Sequence, residues 1–232
     1  MIPDSFKIDF STDGATLDAQ QKIQMWPIQI RIANIPRCKP EIVGVWRGSS
    51  KPTNAHEFLD RFINDFLEVN NNGGIVHNDK LCPTELRCFI ADAPARAFIL
   101  AHLGHTGAHP CSKCWIKGDS IRRGVTAFRG VAHRPRTDQE YADRIDGEHH
   151  SDIDSPLLRL PMGLVTQVPF DYMHCVCLGI TKKILSVLVK GILPKNGDRE
   201  YGCEEEGEDA AEEQQEEEAE EQDGDHVGET LS

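Results

Sequence analysis

The sequence contains no run of about 18 consecutive apolar residues, the length that a helix needs to cross a bilayer. The N-terminal stretch MIPDSFKIDF also lacks the basic and apolar regions of a secretory signal peptide. These two absences argue against a membrane span and predict an intracellular protein, in the nucleus or the cytoplasm. In that reducing environment the eight cysteines are expected to be free thiols or metal ligands rather than disulfides.

Basic residues are almost missing from residues 198–232, which hold 17 acidic residues and one basic residue, Arg199. The other 197 residues hold 21 acidic and 24 basic residues, so the net charge of −13 conceals a mildly basic body. Residues 204–222 are almost wholly Glu, Ala, Gln, Asp and Gly, and such a segment buries too little apolar surface to offset its ordering entropy. We therefore predict one domain in residues 1–197 and a disordered acidic tail in residues 198–232.

The first part of the body has the periodicity of β-strands. Apolar and polar residues alternate in residues 6–10, 26–32 and 41–46, which predicts three strands in an antiparallel meander. Gly14 falls in the first turn, where we expect it to be free to adopt a positive φ. An apolar stripe at i, i+3, i+4 spacing then predicts a helix over residues 55–67, with Asn54 and Glu57 forming a capping box.

The later elements complete the predicted fold. Residues 86–91 form a short apolar run that predicts a buried strand, and residues 97–103 and 180–189 are expected to be helical. Residues 104–178 form a Cys/His-rich region that is mostly loop as far as residue 156. The order β-β-β-α-β-α is that of an RNase H-like fold, so the predicted class is α/β with a mixed sheet and a zinc-binding insertion.

Two aspartates follow predicted strands and are candidate metal ligands. Asp13 follows the first strand and Asp92 follows the fourth, and neighbouring strands would bring their carboxylates close together. Carboxylate oxygens are the ligands that Mg²⁺ or Mn²⁺ needs, and such ions activate water for phosphodiester cleavage. Two simpler roles stay open: Asp13 before glycine is typical of a turn, and Asp92 is well placed to cap the following helix.

Cys111 and Cys114 form a CxxC motif, which places two sulfurs on one turn where they can bind a tetrahedral Zn²⁺. A redox pair or two unremarkable thiols remain alternatives. A single CxxC supplies half of a zinc site, and the other ligands must come from elsewhere in the chain. The candidates are His105, His109, His149, His150, His174, Cys175 and Cys177.

Asp171 and His174 lie three residues apart, a spacing that puts both on one helical face. The carboxylate can orient the imidazole, or both groups can bind one ion. A buried pair at the start of a helix, with Asp171 as the N-cap, is the structural alternative.

In their order and spacing, several short motifs resemble those of DDE transposases, most closely the CACTA (En/Spm-like) class and its derived animal proteins. The resemblance covers residues 6 to about 190 of the chain. The motifs are Ser11-Thr-Asp-Gly-Ala, Met25-Trp-Pro-Ile, Val43-Gly-Val-Trp-Arg-Gly-Ser-Ser-Lys-Pro, Phe89-Ile-Ala-Asp-Ala-Pro-Ala-Arg-Ala, His105-Thr-Gly, Cys111-Ser-Lys-Cys, Ser155-Pro-Leu and Asp171-Tyr-Met-His-Cys-Val-Cys-Leu-Gly.

The resemblance implies an RNase H-like core in which an Asp, Asp, Glu triad binds two Mg²⁺ ions, cuts DNA at transposon ends and joins it to a target. Asp13 matches the first carboxylate and Asp92 the second. Cys111 and Cys114 match the CxxC of the family's insertion. By analogy with the related V(D)J recombinase, a structural Zn²⁺ would be completed by His174 and by His150 or His149.

The third carboxylate of the family has no match. The transposase-like sequence ends near Lys195, where the acidic tail begins, and no Glu of the tail lies in a helix with an apolar face. We therefore expect a C-terminally truncated transposase derivative, ancestrally a DNA-cleaving enzyme and now inactive. A domesticated, non-catalytic module that binds DNA or protein is the alternative, with basic stretches at residues 121–123, 134–136 and 182–183. Whether it forms a homo-oligomer is left open.

Overall fold

A computed structural model describes residues 3–17, 23–104, 107–122 and 125–190 of the chain. The chain divides into two compact units, Met1–Ile184 and Leu185–Ser232, and of the second only residues 185–190 are described. The predicted acidic tail therefore lies outside the described residues. Within the described part, no helix has the length and apolar character needed to cross a membrane.

The strands and helices have the following bounds. They are β1 (Phe6–Thr12), β2 (Ala15–Thr16), β3 (Gln24–Ile32), β4 (Glu41–Gly48), α1 (Ala55–Asn71), β5 (Ile75–His77), β6 (Lys80–Cys82), β7 (Thr84–Ile90), α2 (Ala93–Leu100), β8 (Gly118–Arg122), β9 (Val125–Phe128), α3 (Asp138–Ala142) and α4 (Lys182–Lys190). A 3₁₀ turn occupies Pro156–Arg159, and a π-helical segment, Met173–Thr181, runs directly into α4.

The main sheet is mixed, and the chain belongs to the mixed α/β class, as the sequence predicts. β3 lies between β1 and β4 and is antiparallel to both, which confirms the predicted meander. β1 also pairs with β7, in parallel, on its other side. The short β2 pairs with β3 beyond the end of β1.

The helix α1 covers one face of this sheet because its apolar stripe meets the inward-facing residues of β1, β3 and β7. The ring of Phe10 on β1 lies 5.1 Å from that of Phe62 on α1 and 4.9 Å from that of Phe89 on β7, and Trp26 on β3 meets Phe58 on α1 edge-on at 6.1 Å. Asn54 caps the helix, accepting hydrogen bonds from the backbone amides of His56 and Glu57, but the return bond from the Glu57 side chain that the predicted capping box needs is not present among the described residues.

The two edges of the main sheet differ. The outer edge of β7 is covered by a loop residue: the Phe89 amide donates to the Gln167 carbonyl at 2.9 Å, and Gln167 Nε2 donates to the Leu86 carbonyl at 2.6 Å. β4 forms the opposite edge and, within the described residues, pairs with β3 alone.

Several elements differ from the sequence-based expectations. The helix α2 begins at Ala93, four residues earlier than predicted, and the last helical stretch begins at Met173 as a π-helix. The hairpin β8–β9 and the single-turn helix α3 occupy a region expected to be mostly loop, and no element was predicted for residues 75–82, which form the hairpin β5–β6. Gly14 does not have a positive φ, so the expected reason for glycine at this position is wrong.

Candidate metal site at the ends of two parallel strands

Asp13 and Asp92 both lie just beyond the carboxyl ends of strands that are neighbours in the sheet. The parallel pairing of β1 with β7 runs up to Ser11 opposite Ile90, and each aspartate follows two residues later. The adjacency expected from the order of the strands is therefore present in the backbone.

Gly14 has a packing role beside the first aspartate. A Cβ on this residue would lie 2.8 Å from atoms of the Trp26 indole, which is closer than real Cβ contacts come. The ring of Trp26 therefore needs glycine here, and this contact fixes the chain immediately after Asp13.

Asp92 is the N-cap of α2. Its Oδ1 accepts a hydrogen bond from the Ala95 amide at 2.8 Å, and Pro94 in the first turn favours the start of the helix. The capping role predicted as an alternative is thus present. It uses one carboxylate oxygen and leaves the other available.

The electrostatics of the site show that its carboxylates interact. Desolvation, and then the negative charge of Asp92, raise the pKa of Asp13 above its ordinary value of 3.8. The pKa of His174 is also raised, first by its hydrogen bond with Asp171 and then by the charges of Asp171, Asp13 and Asp92. The pair of Asp171 and His174 therefore lies within electrostatic reach of Asp13 and Asp92.

The carboxylate of Asp171 is engaged by neighbouring residues through an ion pair and hydrogen bonds. Its carboxylate forms an ion pair with His174 Nδ1 and accepts the amides of Met173 at 3.1 Å and His174 at 3.3 Å. Burial opposes ionisation, but the hydrogen bonds from His174 and Met173 lower the pKa of Asp171. Asp171 thus orients the imidazole, which is one of the two roles that the spacing predicts.

The donor chemistry at the strand ends suits a hydrated divalent cation. Among the described residues, neither Asp13 nor Asp92 accepts a hydrogen bond from Lys or Arg. The charge of Asp92 raises the pKa of Asp13, and the charge of His174 opposes that rise. Mg²⁺ often binds through one or two carboxylates and keeps several of its waters. In the described part of the chain, no three Asp, Glu, His or Cys side chains are arranged as ligands of one ion.

A third aspartate, Asp9, lies within β1 and has a different environment. It is 4% exposed and accepts hydrogen bonds from Arg31 at 3.0 Å, Arg87 at 2.5 Å and Cys88 at 3.1 Å. Burial alone would raise the pKa of Asp9, but these hydrogen bonds, led by that from Arg87, lower it. Nothing in the sequence pattern distinguishes this aspartate, because its partners come from β3 and β7.

Cys111 and Cys114 lie close together beside a buried arginine. Arg136 Nε donates to the carbonyls of Cys111 at 3.0 Å and Cys114 at 3.1 Å, while its Nη2 donates to Asp146 at 2.6 Å. Burial, and then the adjacent Cys111 thiol, raise the pKa of Cys114, although a hydrogen bond to the backbone of Ile116 opposes the rise. The turn carrying both sulfurs is therefore held by its backbone.

Four histidines, His102, His109, His149 and His150, form what we call the histidine cluster. His102 stacks on His149 with ring centroids 4.7 Å apart, and His150 lies 5.0 Å from His149. His109 Nδ1 contacts Asp146 at 2.8 Å, and His149 Nδ1 donates to the His109 carbonyl at 2.6 Å. The four Nε2 atoms are buried and have no hydrogen-bond partner among the described residues.

The buried members of the histidine cluster are neutral at physiological pH. Burial, outweighing the hydrogen bond to Leu103, lowers the pKa of His102 to about 4. Burial likewise lowers the pKa of His149 to about 3, against the hydrogen bond to His109. A neutral imidazole is the form that binds metal ions.

The predicted zinc ligands fall in different places. His150 belongs to the histidine cluster, whereas His174 pairs with Asp171 at the strand-end site. His105 lies outside the described residues. The predicted set of Cys111, Cys114, His174 and His150 is therefore not brought together as ligands in the part of the chain that is described.

The basic stretch 134–136 is engaged within the protein. Arg134 pairs with Glu140 at 2.6 Å, Arg136 is buried against Asp146, and both guanidinium groups lie 4.6 Å from the centre of the Trp115 ring. These two arginines hold the loop around the CxxC motif: Arg136 is buried, and Arg134 is partly exposed.

No protein-family model matches the chain, and no curated protein matches it at a significant level.

Proposed function

We propose that this chain is a transposase-derived domain of RNase H-like fold that binds one divalent metal ion between Asp13 and Asp92. The observation that carries the proposal is the pair of carboxylates at the ends of the parallel strands β1 and β7, neither of which accepts a hydrogen bond from Lys or Arg among the described residues. The mixed sheet and the order of its elements support the fold, and the ordered motifs quoted above support the ancestry. Ancestrally, such a site served Mg²⁺-dependent DNA cleavage and strand transfer.

The residues have distinct roles in this proposal. Asp13 and Asp92 would hold Mg²⁺ or Mn²⁺, which supplies Lewis-acid activation of a phosphodiester when bound. Asp171 orients His174, and the raised pKa keeps that imidazole protonated to higher pH, so it can donate a hydrogen bond to a phosphate oxygen. Among the described residues, no third carboxylate is arranged with Asp13 and Asp92 as a ligand of one ion, and the nearby Asp171 is paired with His174. We therefore expect metal binding with no DNA cleavage by this chain.

Calorimetric titration of the chain with Mn²⁺ tests the metal site. We expect one ion per chain, with binding lost in Asp13→Asn and Asp92→Asn. Asparagine is chosen at residue 92 because it can still cap α2, whereas alanine would also weaken the helix. Asp119→Asn, at an exposed position on β8, makes the same change in charge and should bind Mn²⁺ like the wild type.

Metal binding and DNA cleavage by this site are tested separately. Absence of Mn²⁺ binding, or equal loss in Asp119→Asn, would overturn the metal proposal. A plasmid-nicking assay with Mn²⁺ tests the inactivity. Nicking that disappears in Asp92→Asn would show that the chain is an active enzyme.

A second observation supports a structural Zn²⁺ at Cys111 and Cys114, which we also propose. Metal-binding histidines usually hold one ring nitrogen on a carboxylate or backbone carbonyl and bind the metal through the other. His109 and His149 have their Nδ1 atoms fixed in this way and their Nε2 atoms unpartnered. These residues of the histidine cluster are therefore better candidates for the remaining ligands than His174. Zinc binding would require these side chains to move towards the cysteines, because no three of them are arranged as ligands of one ion in the described structure.

Zinc content of the purified chain, measured by mass spectrometry, tests this site. About one Zn²⁺ per chain is expected, with loss in Cys111→Ser and in His149→Ala. Cys38→Ser removes a thiol outside the CxxC turn and should retain the zinc. A wild-type chain with no zinc after refolding in its presence would refute the proposal.

A further inference from the structure

A cavity of about 350 Å³ lies beside the first turns of α2, and neither Asp13 nor Asp92 lines it. Its wall is mostly apolar and includes Pro94, Ala97, Pro110 and Phe170. Arg96 is the one lining residue with a permanent positive charge. Cavities of this size and character are typical of small-molecule sites, in which a few polar groups fix the orientation of the ligand.

The guanidinium group of Arg96 is half-buried and has no partner of opposite charge within the described residues. None of its N–H groups donates a hydrogen bond to a described residue, and its Nε is fully buried. The ring of Phe170 lies against it, with the ring centre 4.7 Å from Cζ. Burial lowers the pKa of Arg96, although the Cys175 and Asp92 side chains oppose the shift. A charge removed from water without a counter-ion is costly, and a bound anion would offset that cost.

A second cation, Lys113, adds to the positive charge beside Phe170. Its ammonium group lies 5.8 Å from the centre of the same ring and donates to two backbone carbonyls of the loop 165–168. Burial, and then the charge of Arg96, lower the pKa of Lys113, although the charge of Asp138 opposes the shift. Within the described residues neither cation forms an ion pair. Because carbonyls hold the ammonium of Lys113, the donors of Arg96 are the ones available to a ligand.

We propose that this cavity binds a small carboxylic acid with an apolar body, whose carboxylate pairs with Arg96. The planar fork of an arginine matches the two oxygens of a carboxylate. The apolar wall formed by Pro94, Pro110 and Phe170 accommodates the rest of the ligand. A carboxylate is favoured over a phosphate because a phosphate needs donors for its further oxygens, and the other lining side chains are mainly apolar.

Isothermal titration calorimetry of the full chain with 2-naphthoate, in buffer without added metal, tests the proposal. We expect one molecule to bind per chain, with a dissociation constant of about 100 µM. The neutral molecule 2-naphthamide has nearly the same shape and should bind at least about tenfold more weakly, because it cannot form the charged pair. Inorganic phosphate should not compete with 2-naphthoate at a similar concentration.

Variants at Arg96 test its part in binding. Arg96→Gln should weaken the binding of 2-naphthoate by at least about tenfold, and Arg96→Lys by about threefold, because an ammonium group cannot pair with both oxygens in the same way. Arg129→Gln makes the same change in charge at an exposed position and should bind 2-naphthoate like the wild type. Circular dichroism should show the same folded spectrum for all three variants.

Amide resonances in nuclear magnetic resonance spectra locate the bound molecule. The amides of residues 95–97 and of Phe170 should shift as 2-naphthoate is added, and these shifts should be lost in Arg96→Gln. Absence of binding, or equal affinity of the wild type and folded Arg96→Gln, would overturn the proposal. Binding of 2-naphthamide or phosphate as tight as that of 2-naphthoate, or shifts confined to other parts of the chain, would overturn it as well.

Discussion

Asp9 and Asp13 lie four residues apart in the chain, within β1 and just after it, but their surroundings carry different charges. Asp9 lies within β1, almost fully buried, and two arginines and a thiol donate hydrogen bonds to it. Asp13 lies just past the end of the strand, remains accessible to solvent and faces the carboxylate of Asp92. Two arginines neutralise the charge of Asp9, whereas no Lys or Arg donates a hydrogen bond to Asp13 among the described residues.

The pKa directions express the same contrast. Hydrogen bonds, chiefly from Arg87, lower the pKa of Asp9 in spite of its burial, whereas desolvation and the Asp92 charge raise that of Asp13. Ionised Asp9 therefore contributes stability, and ionised Asp13 reduces it. A carboxylate with its own arginines is a structural group, and a pair of carboxylates without them is suited to a cation from solution.

The largest expected effect is the loss of stability when Asp9 no longer carries a charge. Asp9→Asn should lower the free energy of unfolding by about 2–3 kcal/mol, because it removes the charge that Arg31 and Arg87 share. Both arginines are nearly half exposed, which keeps the loss below that of a fully buried pair. Urea unfolding measures the change, and a loss below about 0.5 kcal/mol would contradict the assignment.

Metal binding at Asp13 should give the next largest effect, a gain of stability in the presence of Mn²⁺. Mn²⁺ at about ten times its dissociation constant should raise the free energy of unfolding of the wild type by about 1.4 kcal/mol. Asp13→Asn should show no such gain, while Asp119→Asn should keep it. An equal gain in all three proteins would mean that Mn²⁺ binds elsewhere.

The double role of Asp92 gives an effect of intermediate size without metal. Asp92→Ala should destabilise the chain by about 1 kcal/mol, because the Ala95 amide loses its cap, whereas Asp92→Asn should cost only a few tenths. Thermal or urea unfolding in the presence of a chelator separates the two variants. Equal stability of both would show that the cap contributes nothing measurable.

The smallest effect is a difference in pH dependence. Asp13→Asn should stabilise the metal-free chain at pH 7 by a few tenths of a kcal/mol, since it removes a repulsion between partly exposed carboxylates. The gain should disappear below about pH 4, where Asp13 is protonated in both the folded and the unfolded chain. Asp9 should behave in the opposite way: its stabilisation is present above its ordinary pKa of 3.8 and is lost as the pH falls through its lower folded pKa. Unfolding curves from pH 3 to pH 7 test both signs.

The sequence predicts the meander, α1 and β7 because their apolar residues recur with clear periods, and it predicts the adjacency of Asp13 and Asp92 from the order of the strands. The start of α2 at Ala93 had a local signal as well, an aspartate cap followed by Pro94. The hairpins β5–β6 and β8–β9 have strands too short to show a period.

Other features depend on distant partners. The arginines around Asp9 come from β3 and β7, and Asp146 reaches both His109 and Arg136 across the CxxC loop. No local spacing encodes such contacts. The spacing of Asp171 and His174 predicts their pairing, whereas the place of His174 among the zinc ligands, implied by the transposase resemblance, is not seen because its partners in the fold are carboxylates.

The loop residue Gln167 has a consequence for how large an assembly of this chain can grow. It occupies the outer edge of β7 with both its carbonyl and its side-chain amide, so that edge cannot accept a further strand there. A chain with two open edges would add copies without end and form a fibre. With this edge closed by Gln167, β4 is the one outer edge of the main sheet that has no partner among the described residues, so the main sheet can be extended at one edge at most.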